Sequence, residues 1–184
     1  MAGDRYSIKS QNDMHFSTFT VINWMDVFIR DVYRNIIVDS LNYCVKEKGL
    51  EIYAWCLMTS HMHLIARANE GYSLSDIYRD LKKHTSKQIV EAIKNNPESR
   101  REWMLDFIAY AGKLDSRKIG NKFWKEDNHN IILLPMSTII FEQKLDYVHN
   151  NPVDAGFVDE PHYWKYSSAC DYAGIKGLVN ITLN

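Results

Sequence analysis

The chain has 184 residues, 46% of them hydrophobic and 24% charged, which fits one globular domain that can bury a core without disulfide staples. Its 12% aromatic content excludes a disordered chain, and its net charge of −1 excludes a uniformly basic coat for nucleic acid. Cys44, Cys56 and Cys170 are odd in number and show no CxxC spacing, which argues against a disulfide framework and for a reducing compartment.

Residues 1–13 are polar and read as an arm, without the apolar core of a signal peptide. His15 to Ile22 alternates and is rich in Phe, Thr and Val, so a strand is predicted. Asn23 is expected to cap a helix from about Trp24 to Lys48, with Val27, Tyr33, Ile37 and Leu41 on its inner face and Gly49 closing it. Leu50 to Met58 and His61 to Ala68 read as two strands of a hairpin turning at Thr59 and Ser60.

Ser73 or Ser75 is expected to start a helix that buries Leu74, Ile77, Leu81, Ile89 and Ile93 and ends at Asn95-Asn96-Pro97. A further helix is predicted from Glu98 to Ala111, stopped by Gly112, followed by a basic loop from Lys113 to Gly120. Lys122 to Lys125 and Asn130 to Leu134 read as short strands. Pro135 and Ser137 open a last helix expected to stop near Asn150, because the residue before Pro152 disfavours helix. The remaining tail is aromatic and irregular. Strand pairs interleaved with helices predict an α+β fold with a mostly antiparallel sheet. No apolar run approaches the ~20 residues of a membrane span, so a cytoplasmic protein that does not enter a membrane is expected.

Charge is uneven. Arg79 to Lys125 holds twelve Lys and Arg against six Asp and Glu. A solvated helix face is the ordinary origin of such a run. A patch for phosphates is the functional one.

Two places suggest chemistry. His61 and His63 are two apart in a strand, so both imidazoles project from one face while Met62 turns inward. Two histidines on one face are part of a metal site, although a bare His-x-His is more often an accident of composition. Tyr147 lies on the last helix, and Asn151 follows it by one turn. Core packing is the commoner fate of such a tyrosine. His84 and His149 read as solvent-facing, and Asp127 and His129 as turn residues. The chain has no Walker loop, GxSxG elbow or HExxH motif.

Taken together, His61-Met62-His63-Leu64-Ile65, the element from Lys122 to His129 around Trp124, the run from Tyr147 through Asn151-Pro152-Val153-Asp154-Ala155-Gly156 to Val158, and Tyr166-Ser167-Ser168 resemble the REP-associated tyrosine transposases, within the single-tyrosine HUH transposases. The resemblance covers about residues 14–174, leaving 175–184 as a tail. It implies a ferredoxin-like antiparallel sheet with helices packed on it. It also implies Tyr147 as nucleophile, with His61, His63 and Asn151 holding a divalent cation, Mg²⁺ or Mn²⁺. The substrate implied is a single-stranded DNA hairpin with a short 5′ tetranucleotide, cut through a 5′-phosphotyrosine link in the nucleoid.

Arg79, Lys82, Lys83, Lys87, Arg117, Lys118 and Lys122 are the expected DNA contacts, with Trp103, Tyr110 and Trp124 as aromatics for unpaired bases. Core packing is the simpler fate for most of these aromatics. A homodimer that exchanges the tyrosine helix and a monomer are both allowed by the resemblance. Ser60 departs from the Asn that relatives often carry before the first histidine. A hairpin-binding protein that no longer cuts, or a hydrolase of small phosphoesters, would share parts of the pattern.

Overall fold

The computed structural model describes residue 8 and residues 10–114, 121–133 and 138–183. Arg117, Lys118 and the start expected at Pro135 and Ser137 lie outside the described residues. The strands β1 (His15–Thr20), β2 (Leu50–Leu57), β3 (His61–Ala68) and β4 (Ile131–Ile132) form one antiparallel sheet in the order β2-β3-β1-β4. Helices α1 (Asp31–Glu47), α2 (Leu74–Asn95), α3 (Arg101–Lys113), α4 (Thr138–Asp154) and α5 (Ala169–Tyr172) complete the chain. This is the ferredoxin-like α+β arrangement expected.

The sheet separates two cores. On one side, Tyr33, Ile37 and Leu41 of α1 and Ile77, Leu81 and Ile89 of α2 pack on Phe19, Met62 and Leu64. On the other, Val148 of α4 packs with Phe16, Cys56 and Ile65. β3 serves both because its side chains alternate. β2 does so through a bulge between Ile52 and Ala54, where one extra residue resets the alternation so that Trp55 and Leu57 return to the α1/α2 core.

Local signals account for most helix ends. The Ser73 hydroxyl accepts a hydrogen bond from the Asp76 amide at 3.2 Å and caps α2, a contact worth about 1 kcal/mol. Gly49 turns the chain after α1 with φ +66°, and a β-carbon there would collide with the Tyr72 ring.

Four expectations change. First, Asn23 does not cap α1, which begins at Asp31. Asn23 and Trp24 instead hold φ of +53° and +56° in a 3₁₀ turn over Ile22–Trp24. Second, α3 starts at Arg101 and runs through Gly112 to Lys113. Third, the segment around Trp124 is no strand of its own. It lies along β1 on the side of β4, beyond the two residues β4 pairs with, where Thr18 N bonds Asn128 O at 2.7 Å, Lys125 N bonds Thr20 O at 2.8 Å, and Val21 bridges Trp124.

Fourth, α4 does not stop before Pro152 but runs through it to Asp154. The proline forfeits only its own N–H bond and buries its ring. The next turn is retained, with Ala155 N on Asn151 O at 3.1 Å and Phe157 N on Pro152 O at 2.9 Å. The tail, expected to be irregular, covers the outer edge of β2: Leu57 N bonds Tyr166 O at 2.9 Å and Thr182 N bonds Ile52 O at 2.7 Å.

Candidate active site

His61 and His63 leave β3 toward α4, with ring centroids 4.8 Å apart. His63 is buried. Its ring stacks on Phe16 at 5.6 Å, and its Nδ1 is hydrogen-bonded to Thr18 Oγ1 at 3.0 Å. Burial lowers its pKa to about 3, with neighbouring His61 and the Lys144 ammonium acting in the same direction, so the ring is neutral at physiological pH. Its Nε2 is buried with no hydrogen-bond partner.

His61 Nδ1 is 3.3 Å from the Ser60 hydroxyl, and the Asn151 side chain stands beside the His61 ring. Burial holds the His61 pKa below its ordinary value, opposed by that Asn151 contact and by the charge of Asp26. Ser60, the residue before the first histidine, therefore touches its ring.

Helix α4 brings the other two residues. Val148 points into the sheet core and turns the neighbouring face toward the histidines. Tyr147 is 46% exposed, and its ring meets His63 edge-on at 5.1 Å and Phe16 at 5.9 Å. The Lys144 ammonium lies 4.9 Å from the Phe16 ring and 5.7 Å from that of Tyr147. Asn151, one turn beyond Tyr147, reaches His61. The structure thus gathers all four residues singled out in the sequence.

His149, expected to face solvent, is buried instead. Its Nε2 is 2.8 Å from Ser168 Oγ, and Ser168 Oγ also accepts from Trp55 N at 2.9 Å. Burial lowers the His149 pKa to about 4 against the opposing charge of Asp146. Tyr166-Ser167-Ser168 is therefore a brace. Ser168 ties α4 to β2, and the Tyr166 hydroxyl donates to Asp31 at 2.8 Å.

Among the described residues there is no cluster of three or more His, Cys, Asp and Glu. Asn151, beside the His61 ring, carries an amide oxygen that would be a third protein donor to a cation held by His61 and His63. The donors fit such an ion. Both imidazoles favour the neutral form, each Nδ1 meets a hydroxyl, and His63 Nε2 is buried without a partner. Anchoring one ring nitrogen while the other faces the metal is how ligating histidines are normally held.

The basic residues of α2 lie on the opposite side of the sheet. Ser17 and Phe19, which face away from His63, carry Tyr78 of α2: Ser17 Oγ is 3.3 Å from Tyr78 Oη. There α2 and residues 121–130 line a groove of about 1080 Å³ that includes Arg79, Lys82, Lys83, Lys87, Lys94 and Lys122. Lys83 and Lys87 are exposed. Arg79 pairs with Asp76 and Asp80. Lys82 Nζ is bound to Glu126 O at 3.0 Å and Asn128 Oδ1 at 2.7 Å, and Lys122 Nζ stands 3.9 Å from Glu126. Trp124 is buried, its indole donating to Thr85 Oγ1 at 3.0 Å, whereas Trp103 and Tyr110 are exposed.

Comparison with known proteins gives the family and the fold. A family model described as "Transposase IS200 like" matches residues 10–126, a span that includes both histidines and ends before α4. No curated protein matches the chain. A solved REP-associated tyrosine transposase bound to a REP hairpin aligns with 96% of this chain and 89% of its own, at 19% identity and a TM-score of 0.61, and so has the same fold. A Deinococcus radiodurans r1 structure described as a candidate transposase aligns with 78% of this chain and 96% of its own, at 15% identity and a TM-score of 0.44. With its family model matched over more than half its length, the chain belongs to the IS200-like transposases.

Proposed function

We propose that this transposase cuts and rejoins single-stranded DNA at hairpins through a covalent link to Tyr147. The observation that carries this reading is the meeting of Tyr147 with the histidine pair, 5.1 Å from His63 between ring centroids, with the tyrosine half-exposed over the face of the sheet. The solved protein of the same fold is bound, by its description, to a REP hairpin, which supports DNA hairpins as the substrate class.

His61, His63 and Asn151 would hold Mg²⁺ or Mn²⁺, and such an ion polarises a scissile phosphate and offsets charge on its oxygens. Tyr147 Oη attacks the phosphorus, forming a 5′-phosphotyrosine ester as the P–O3′ bond breaks. The phenolic proton is lost to solvent, and the 3′ oxygen takes one up to leave as a hydroxyl. One phosphodiester replaces another, so a new 3′-OH can reverse the step without ATP. The Phe16 and His63 rings pack against the Tyr147 ring and orient the phenol, and the Lys144 ammonium adds positive charge beside it.

The α2 groove is our proposed track for the DNA backbone, with exposed Lys83 and Lys87 as the nearest phosphate partners and Arg79, Lys82 and Lys122 along its wall. From there a strand reaches the histidines around the β1 edge, over residues 121–128. The test is to incubate labelled single-stranded hairpins from the DNA flanking the gene with protein and Mn²⁺. A labelled protein band on a denaturing gel that disappears with chelator supports cleavage. A shift on a native gel without such a band at any condition favours a hairpin-binding protein that no longer cuts.

A further inference from the structure

The turn before α1 carries a feature that the fold does not need. Trp24 holds φ +56° directly after Asn23 at φ +53°. Asn tolerates the left-handed region, but a bulky aromatic rarely occupies it. The turn is pinned all round: Val21 N bonds Ser60 O at 2.9 Å, Ile22 N bonds Phe123 O at 2.9 Å, and Trp24 N bonds Val21 O at 3.1 Å. Thr59 Oγ1 also donates to Asp26 at 2.6 Å. This bracing does not bury the indole, which is 55% exposed. It sets the ring 5.4 Å from that of His61, nearly perpendicular, with the Lys125 ammonium 4.7 Å over it. Strained backbone that presents a rigid, open aromatic beside reactive groups points to use in the site rather than in the core.

We propose that Trp24 is a stacking platform for an unpaired base next to the scissile phosphate, and that Lys125 meets the adjoining backbone phosphate. Every base has a flat face, so an exposed indole accepts any of them, and an ammonium already drawn over the ring stands where the phosphate of a stacked nucleotide would follow. The location suits this. Lys125 belongs to the segment lining the β1 edge, between the α2 groove and the histidines, so the pair stands where a strand leaving the groove enters the site. Trp24 is thus a positioning residue. It holds a base, and through it the phosphate, without touching the reacting atoms. The inference rests on the DNA-cleaving reading above.

The test uses full-length protein carrying Tyr147→Phe, so that binding is read without cleavage. The probes are labelled flanking hairpins in which each unpaired nucleotide in turn is made abasic. With Trp24 present, one abasic position is expected to weaken binding by about 5- to 150-fold, the range for losing one base–aromatic stack. With Trp24→Ala added, that position is expected to lose its effect, and Trp24→Phe is expected to restore it. Lys125→Ala is expected to lower the slope of log affinity against log salt by about 1.

Uniform weakening on every probe, or none, would overturn the stacking role. If Trp24→Ala does not fold, the same comparison is read with Trp24→Leu, which keeps an apolar side chain but has no aromatic face and is expected to lose the position's effect as Trp24→Ala would. Failure of the Trp24-containing protein to bind any hairpin overturns the parent DNA reading, whereas binding that never depends on Trp24 overturns only the stacking.

Discussion

Tyr147 and His63 come from distant parts of the chain and meet edge-to-face at 5.1 Å, at a tilt of 69°. The contact leaves the phenol end of a half-exposed side chain at the mouth of the histidine pair. Tyr147→Phe keeps the ring and removes one oxygen. It is expected to abolish covalent adducts, to leave hairpin affinity within about twofold, and to change stability by less than ~0.5 kcal/mol. Adduct gels, native gels and thermal melts of the same preparation read all three.

Thr18 supports the site from β1. Its hydroxyl stands 3.0 Å from His63 Nδ1 and fixes which nitrogen faces outward. Thr18→Val is expected to weaken Mn²⁺ binding about 10- to 100-fold, the range for losing a partner of a ligating histidine. His63→Ala should abolish it. Titration calorimetry with Mn²⁺ alone measures both.

Acid should loosen the α4 side of the molecule. Burial holds His63 to about 3 and His149 to about 4, both below the ordinary value near 6.5. The unfolded chain therefore binds protons that the native state refuses. Their contribution to stability is complete above about pH 6.5 and falls progressively as pH drops toward 3. His149→Gln should flatten that slope, as read by urea melts at a series of pH values.

Ser168 holds three groups together: His149, the Trp55 amide and the Trp55 carbonyl at 3.2 Å. Ser168→Ala leaves a buried donor and a buried ring nitrogen without partners. The expected cost is about 1–3 kcal/mol. Because the serine anchors α4, adduct formation is also expected to slow. A thermal melt and an adduct time course test these separately.

Glu98 binds the start of α3 to the turn before α1. Its buried carboxylate meets Arg30 at 3.3 Å and Arg100 at 3.2 Å and accepts from the Tyr33 hydroxyl at 3.2 Å. Burial raises its pKa, but Arg100 and Arg30 outweigh that and hold it below the ordinary carboxylate value. Its contribution is present above the unfolded pKa of about 4.5 and is lost on further acidification. Glu98→Gln is expected to destabilise by about 1–3 kcal/mol at neutral pH, with the deficit shrinking as pH falls below 4.5 in urea melts.

Much of this was legible in the sequence, for identifiable reasons. Strand alternation alone puts His61 and His63 on one face, and helical spacing alone aligns Tyr147 with Asn151. That these two faces meet depends on Val148 docking into the core beside Phe16 and Ile65, a long-range contact with no local signal. His149 was misread for the same reason, because its partner Ser168 comes from a tail that looked irregular.

Asn23 was misread because a residue that favours helix caps also tolerates left-handed backbone, and only the bracing from Ser60 and Phe123 selects the second. Trp24 consequently passed for the first residue of a helix. Pro152 shows the limit of a local rule, since burial of its ring and the surviving bonds of the next turn keep α4 intact. The charge of Arg79 to Lys125 was visible, but not that Arg79 and Lys82 are already engaged within the fold.

The most direct test is mass spectrometry of the protein after reaction with a flanking hairpin and Mn²⁺. The account predicts a single modified peptide, with nucleotide attached through a 5′ phosphate to Tyr147. An adduct on any other residue, or cleaved DNA with no protein-linked nucleotide, would contradict it.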